Sequence, residues 1–194
     1  PRHGDISAAE DLLAQSADTT LEAMRHLNQV AAQKYQPAAN YAANPFAEKM
    51  KTAARLLKAN IGLEVVEIDY GGWDTHNRQG GLTGNFANKT TVLAEGLAAF
   101  FQDLGDRMND VLVLTLSDFG RTAKVNGSGG TDHGWANCML AMGGGIPDVR
   151  KHAQSPVLCN WPGLAPEQLN QGRDLLHTTD FRDVIAEEIA GNVD

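Results

Sequence analysis

The spacing of apolar residues along the chain predicts four helical regions. In chain order these regions are residues 6–33, 45–60, 86–108 and 181–190. Within the first region Asp18-Thr19-Thr20 is a candidate cap, which would divide it into two helices. Pro45 directly after Asn44 is typical of a helix start, because asparagine caps the first turn and proline suits its first position.

Three apolar runs predict strands, over residues 63–70, 111–116 and 135–142. In the first run, Val65, Val66 and Ile68 form the part that we expect to be buried. The helix predicted between the first two runs has the length of a right-handed crossover between parallel strands. The order of elements therefore predicts an α/β fold in which these two strands belong to one mainly parallel sheet.

Polar motifs rich in glycine follow the first two predicted strands. The motif GGWDTH contains Asp74 and His76, whose spacing directs both side chains the same way in an extended segment. The motif LSDFGRT contains Asp118, and a glycine-rich loop then leads to Asp132 and His133 in GTDHGW. Because open α/β sheets bind ligands at the carboxyl ends of their strands, we expect these loops to form one site. The alternative interpretation is a set of polar, solvated turns.

Aspartate and histidine in such loops are ligands for divalent metal ions. Histidine–carboxylate sets suit zinc or manganese, whereas carboxylates supplemented by water suit calcium or magnesium, and the residue types leave this choice open. Arg121 and Lys124 are candidates for binding an anionic group, although Arg121 could instead brace its loop through a salt bridge. Thr131 is the weak candidate for a nucleophile, with a hydrogen bond inside its own loop as the alternative.

The net charge and the lengths of the apolar runs argue against some classes of function. The net charge of −8 argues against a nucleic-acid-binding protein, which would need a basic face. No apolar run is long enough to span a membrane. Cys138 and Cys159 are compatible with one disulfide or with two buried thiols. We expect residues 1–194 to form a single domain, with a helical lead-in over 1–62 and a motif-bearing core over 63–194.

Together, the three motifs GGWDTH, LSDFGRT and GTDHGW resemble the bacterial domain-of-unknown-function family 1501, within the alkaline phosphatase/sulfatase-like superfamily. The resemblance implies a three-layer α/β/α sandwich with a mainly parallel sheet, of which this chain would be the C-terminal part. It also implies an exported, periplasmic protein and a small anionic ester as substrate. By motif, Asp74 and His76 would be a ligand pair, Asp118 a second metal acid and His133 a late ligand. Asp132 would be a ligand or a neighbouring acid.

The chain departs from the superfamily pattern at the position after Asp118, where Phe119 replaces a common histidine. In addition, Asp74 and His76 stand closer in sequence than the usual pair. We expect the strand that carries a nucleophile to lie upstream of Pro1. The sequence therefore predicts a metal-dependent phosphate or sulfate ester hydrolase or its metal-binding half. The alternative is a non-catalytic exported binding domain that keeps the fold.

Overall fold

The computed structural model describes residues 3–144, 146, 157 and 159–190. Its α-helices are α1 (His3–Ala32), α2 (Pro45–Lys58), α3 (Asn85–Leu104) and α4 (Phe181–Ala190). Short 3-10 helices cover Gly105–Asp110 and Pro166–Gln168. The strands are β1 (Leu112–Leu114), β2 (Gly120–Arg121), β3 (His133–Gly134) and β4 (Ala141–Gly143). The predicted mixture of helix and sheet is therefore present.

Helix α1 is continuous, so the predicted division into two helices is wrong. The hydroxyl groups of Thr19 and Thr20 donate to the carbonyls of Gln15 and Ser16, one turn back, and thus stay inside the helix instead of capping one. Val30, near the end of α1, is buried. Several large apolar side chains of the helix are exposed, namely Leu12, Leu13, Leu21, Met24 and Leu27.

Helices α2 and α3 pack together to form the core. Helix α2 begins as predicted, with the Asn44 side chain accepting from the backbone N–H of Ala47 at 2.9 Å. The ring of Phe46 lies against Gly96 of α3, where an added Cβ would come within 2.7 Å of the ring atom Cδ1. Glycine at this position therefore lets the helices approach closely. The buried cluster contains Phe46, Met50, Ala53, Ala54, Leu97, Phe100, Leu104 and Met108.

Asp103 of α3 ties the segment before α2 to both core helices. Its side chain is 3% exposed and accepts hydrogen bonds from the hydroxyls of Tyr35 (2.6 Å) and Tyr41 (2.9 Å). It also accepts from the Lys58 ammonium group at 2.6 Å and from the Ala38 backbone N–H at 2.8 Å. Burial raises the pKa of Asp103, but these hydrogen bonds outweigh it and hold that pKa below its usual range.

The strand predicted over residues 63–70 does not form among the described residues. The segment is extended, but its backbone has no ladder partner, and Val65 is 84% exposed. A strand needs a neighbouring strand to satisfy its N–H and C=O groups, and apolar alternation alone does not supply one. Ile68 and Tyr70 nevertheless pack against the α2–α3 core and so anchor the segment.

The other two predicted strands are shorter than expected and pair with each other. Strand β1 lies inside the predicted run 111–116, and β4 covers only the end of the run 135–142. They pair antiparallel, with Val113 opposite Met142. The described residues therefore contain small antiparallel pairs and not the crossover-linked parallel sheet that the element order predicted. Hydrophobic runs fix neither the partner nor the direction of a strand.

Helix α4 covers the predicted range, and Asp180 caps it by accepting from the backbone N–H of Arg182 at 2.9 Å. The side chain of Arg182 also binds Asp180, which lowers the pKa of that carboxyl to about 2. Phe181, the first residue of α4, is 53% exposed.

The cysteines Cys138 and Cys159 are exposed and not bonded to each other, so they form neither the disulfide nor the pair of buried thiols that the sequence allowed. Among the described residues, none of the helices combines the length and apolar character needed to cross a membrane.

We predict that Asp103→Asn destabilises the protein at neutral pH, by about 2 to 3 kcal/mol, because the partly buried Lys58 then loses its charged partner. The folded pKa lies below the unfolded value of about 3.9. The stabilisation from Asp103 is therefore complete above the unfolded pKa and is lost as the pH falls through the folded one. Urea denaturation of both proteins from neutral pH to about pH 2 measures this difference.

Asp106 supplies the matched control, because it lies exposed in the 3-10 helix that follows α3. We expect Asp106→Asn to change the free energy of unfolding by no more than about 0.5 kcal/mol. If the difference in free energy of unfolding between wild type and Asp103→Asn stayed constant through the acid range, it would contradict the lowered pKa of Asp103.

Candidate metal centre

Backbone pairing between two glycine-rich loops brings the first and third motifs together. Segments 75–79 and 128–131 are joined by backbone hydrogen bonds of 2.9 to 3.2 Å. Gly130 lies directly against the carbonyl groups of Thr75 and His76, and a Cβ atom at this position would overlap them. Any residue other than glycine would therefore push the loops apart. The contact is between loops and does not need the parallel sheet that we predicted would unite them.

Strands β2 and β3 join the second motif to the third. They pair antiparallel, with Arg121 opposite His133. Behind them, the fully buried Asp174 accepts from the backbone N–H of Trp135 at 2.6 Å and from the side chain of Asn170 at 3.3 Å. Sequence reasoning missed Asp174, because it follows no recognisable motif and its contact with Trp135 joins positions 39 residues apart in the chain.

Asp74, His76 and His133 converge in the structure. The Oδ1 atom of Asp74 is 2.9 Å from Nε2 of His76 and 2.8 Å from Nε2 of His133. One ligand atom from each of the three residues lies within 4.8 Å of the others. Ligands at 2.0–2.2 Å around a tetrahedral zinc ion are about 3.3 Å apart, so these atoms are already close to the spacing that an ion needs. The side chains are 42–52% exposed, which leaves one side open.

Asp132 and Asn126 orient His76. The Oδ1 atom of Asp132 lies 3.0 Å from Nδ1 of His76, on the side of the ring away from Asp74. Asn126 donates from Nδ2 to the same Asp132 oxygen and to the His76 carbonyl, both at 3.0 Å. A carboxylate on one ring nitrogen leaves the other nitrogen free to bind metal. Asn126 was missed because an asparagine in a glycine-rich loop is ordinarily a turn residue.

Phe119 orients the other imidazole. Its ring stacks on His133 with a centroid distance of 4.1 Å and an interplanar angle of 9°. Stacking restricts rotation of the His133 ring and thereby aims Nε2 at Asp74. Phe119 is the residue at which the chain departs from the superfamily pattern, and in this structure it supports a proposed ligand.

Arg121 is paired with Asp74, a member of the candidate metal-binding group that Asp74, His76 and His133 form. Its guanidinium group donates to Asp74 Oδ1 and to Thr75 Oγ1, both at 3.0 Å. This is the loop-bracing salt bridge that we considered as the alternative to anion binding. The hydrogen bond from His133 is the largest cause that lowers the pKa of Asp74, and the charge of His76 and the Arg121 contact add to it. Asp74 is therefore ionised at neutral pH, as a metal ligand must be.

The remaining predicted site residues lie outside this group. Asp118 is exposed and does not belong to the set of converging ligand atoms among the described residues. Lys124 is exposed as well. Thr131 is buried, but its hydroxyl donates to Oε1 of Gln79 at 2.6 Å and not within its own loop. The same Gln79 oxygen accepts from the hydroxyl of Thr75 at 2.8 Å.

A cavity of about 510 Å³ opens beside the metal-binding group. Two of the proposed ligands and the first turn of α3 line it together. Its wall consists of Gly72, Asp74, Thr75, His76, Asn77, Asn85, Asn88 and Lys89. The group therefore faces a space large enough for a small molecule.

The family assignment agrees with the resemblance of the motifs. A family model described as "Protein of unknown function (DUF1501)" matches residues 2–193, so the chain belongs to this family. No curated protein and no solved structure matches the chain.

We predict that Asp132→Ala weakens zinc binding about 10- to 100-fold, because His76 loses the carboxylate that orients its ring. Isothermal titration calorimetry with zinc measures the affinity. The matched control is Asp118→Ala, which removes an exposed carboxylate of the neighbouring loop and should leave the affinity unchanged. An equal loss of zinc affinity in the two variants would indicate that Asp118 is also a ligand.

Proposed function

We propose that this chain is the metal-binding part of a metal-dependent hydrolase of phosphate or sulfate esters. The observation that carries the proposal is the convergence of ligand atoms from Asp74, His76 and His133 within 4.8 Å. Two imidazoles and one carboxylate suit zinc or manganese better than calcium or magnesium, which prefer oxygen ligands.

The contacts around the three ligands support a metal site over a set of solvated turns. Each ligand is oriented by a further side chain: Asp74 by Arg121, His76 by Asp132, and His133 by Phe119. An ion bound there would supply a Lewis acid for an ester oxygen. The chain itself would keep Asp74 ionised, hold both rings in a binding orientation and leave the open side to the cavity.

The proposal extends to the superfamily, the fold and the location of the protein. Membership of the alkaline phosphatase/sulfatase-like superfamily is supported by the order of the three motifs, each of which contributes to the site or its support. With that membership come a parallel α/β/α sandwich and an exported location.

A non-catalytic binding domain is the second candidate, and a specific observation favours it. The hydroxyls of Thr75 and Thr131, which lie near the proposed ligands in sequence, are both buried and both donate to Gln79 Oε1. A nucleophile must be free to approach the substrate and to lose its proton. Neither threonine is therefore poised to attack a substrate.

We predict that protein purified without chelator or affinity tag carries close to one equivalent of a divalent metal by elemental analysis. After metal removal, zinc at about 100 times its Kd should raise the free energy of unfolding by about 2.7 kcal/mol. His76→Ala should abolish this response. His26→Ala, which removes an exposed histidine of α1, is the control and should retain it. Absence of metal from every preparation, with no zinc response, would favour the non-catalytic alternative.

We also predict that this chain alone hydrolyses aryl phosphates and aryl sulfates very slowly or not at all across a panel of divalent ions. The reason is that Gln79 holds both candidate threonine hydroxyls. Robust turnover that disappears in Thr131→Ala would contradict this, provided that Thr91→Ala keeps full activity. Thr91 is a suitable control, since its hydroxyl donates to the carbonyl of Ala87 within its own helix.

A further inference from the structure

We propose that the cavity beside the metal-binding group is an oxyanion site in which Lys89 binds the phosphate or sulfate group of the substrate, assisted by Asn85 and Asn88. All three residues belong to the first turns of α3 and line the cavity together with Asp74 and His76. The identification of the oxyanion as an ester group rests on the proposed function. The binding of an oxyanion by Lys89 rests on the cavity itself.

The ammonium group of Lys89 is held in place at the cavity wall. It donates to the carbonyl of Gly71 at 2.7 Å and lies over the ring of Tyr70, 4.7 Å from its centroid, and near that of Trp73, at 5.8 Å. Gly72 makes room for it, because a Cβ there would come within 2.6 Å of Nζ. A lysine held by these contacts loses less freedom on binding an anion than a lysine on an open surface.

Lys89 retains unused hydrogen-bonding capacity and an uncompensated charge. An ammonium group has three N–H donors, and the Gly71 carbonyl takes one. Within the described part of the chain, no carboxylate forms a salt bridge with Lys89, whereas Arg121 is paired with Asp74. Lys89 is therefore the cation in this cavity that is available to a ligand. The sequence had suggested Arg121 and Lys124 for this role.

Asn85 and Asn88 add neutral donors next to this charge. Neither side chain forms a hydrogen bond to a described residue, and both line the cavity. Helix α3 begins at Asn85 after Gly84, without a side-chain cap. The positive end of the helix therefore adds to the potential that Lys89 creates. Tetrahedral oxyanions accept several hydrogen bonds at once, which suits an ammonium group flanked by carboxamides.

The location of the cavity links this site to the proposed metal. Asp74 would repel an anion, but its charge is offset by Arg121 at 3.0 Å and would be offset further by a bound cation. Asp74, His76 and Lys89 line the same cavity, so an oxyanion there would be attracted both by a bound ion and by Lys89. Zinc and the oxyanion should thus strengthen each other's binding, and the coupling must be the same whichever binds first.

The test measures anion binding by calorimetry. Inorganic phosphate is titrated in the presence of chelator. Inorganic sulfate, which does not precipitate zinc, is titrated both with and without zinc. We expect Lys89→Gln to weaken both anions about tenfold or more, since a charge-assisted hydrogen bond is lost. Lys124→Gln is the matched control and should bind as wild type. Asn88→Ala breaks no hydrogen bond within the described chain, so it tests the site without threatening the fold, with an expected loss of about threefold to tenfold.

Zinc affinity is measured separately for each variant and should stay within about twofold of wild type in Lys89→Gln and Asn88→Ala without anion, because neither residue is a ligand. Anion binding that depends on Lys89 in a protein that binds no zinc would support the oxyanion site and overturn the proposed function. Unchanged anion affinity in both variants, or no anion binding by wild type at millimolar concentrations, would overturn the oxyanion site even where zinc binds.

Discussion

The close approach of Gly130 to the backbone of Thr75 and His76 is the contact on which the proposed site depends. It allows segments 75–79 and 128–131 to exchange backbone hydrogen bonds, and so places His76 beside the loop that carries Asp132 and His133. A side chain at position 130 would overlap these carbonyls and separate the loops. Within the described residues, paired loop backbones and the two short strands β2 and β3 hold the candidate metal-binding group together without an extended sheet beneath it.

The helical core supports this site through a row of aromatic side chains. Phe46 in the core packs on Tyr70, Tyr70 contacts Trp73, and Trp73 contacts Phe86 at the start of α3, with ring centroids 4.6 to 5.8 Å apart. Trp73 directly precedes Asp74. The row therefore connects the packing of α2 on α3 to the position of the first proposed ligand and to the cavity wall that carries Lys89. In the same core, Asp103 of α3 binds Lys58 of α2 and Tyr35 of the segment before α2.

The chemistry of the site is distributed between residues that would touch an ion and residues that orient them. Arg121, Asp132 and Phe119 each fix one proposed ligand by a different interaction: an ion pair, a hydrogen bond and ring stacking. Such support is expected of a preorganised metal site and therefore agrees with the proposed metal binding. The open side of the group leads to a cavity in which Lys89 carries the opposite charge to the expected substrate.

The sequence by itself determined the local features of this protein. The start of α2 at Asn44 and Pro45 and the range of α4 follow from caps and periodicity, and residue type alone made Asp74, His76 and His133 candidate ligands. These features depend on neighbours within a few positions in the chain, so the sequence encodes them directly.

Only the tertiary structure decided which distant groups meet. It left Val65 exposed in a segment that reads as a buried strand, and it paired β1 with β4 antiparallel. It also drew Arg121 onto Asp74 and placed Lys89 at the cavity. The physical reason is that strand partners, ion pairs and cavity walls are chosen by packing among residues far apart in sequence, whereas apolar spacing records only whether a residue prefers to be buried.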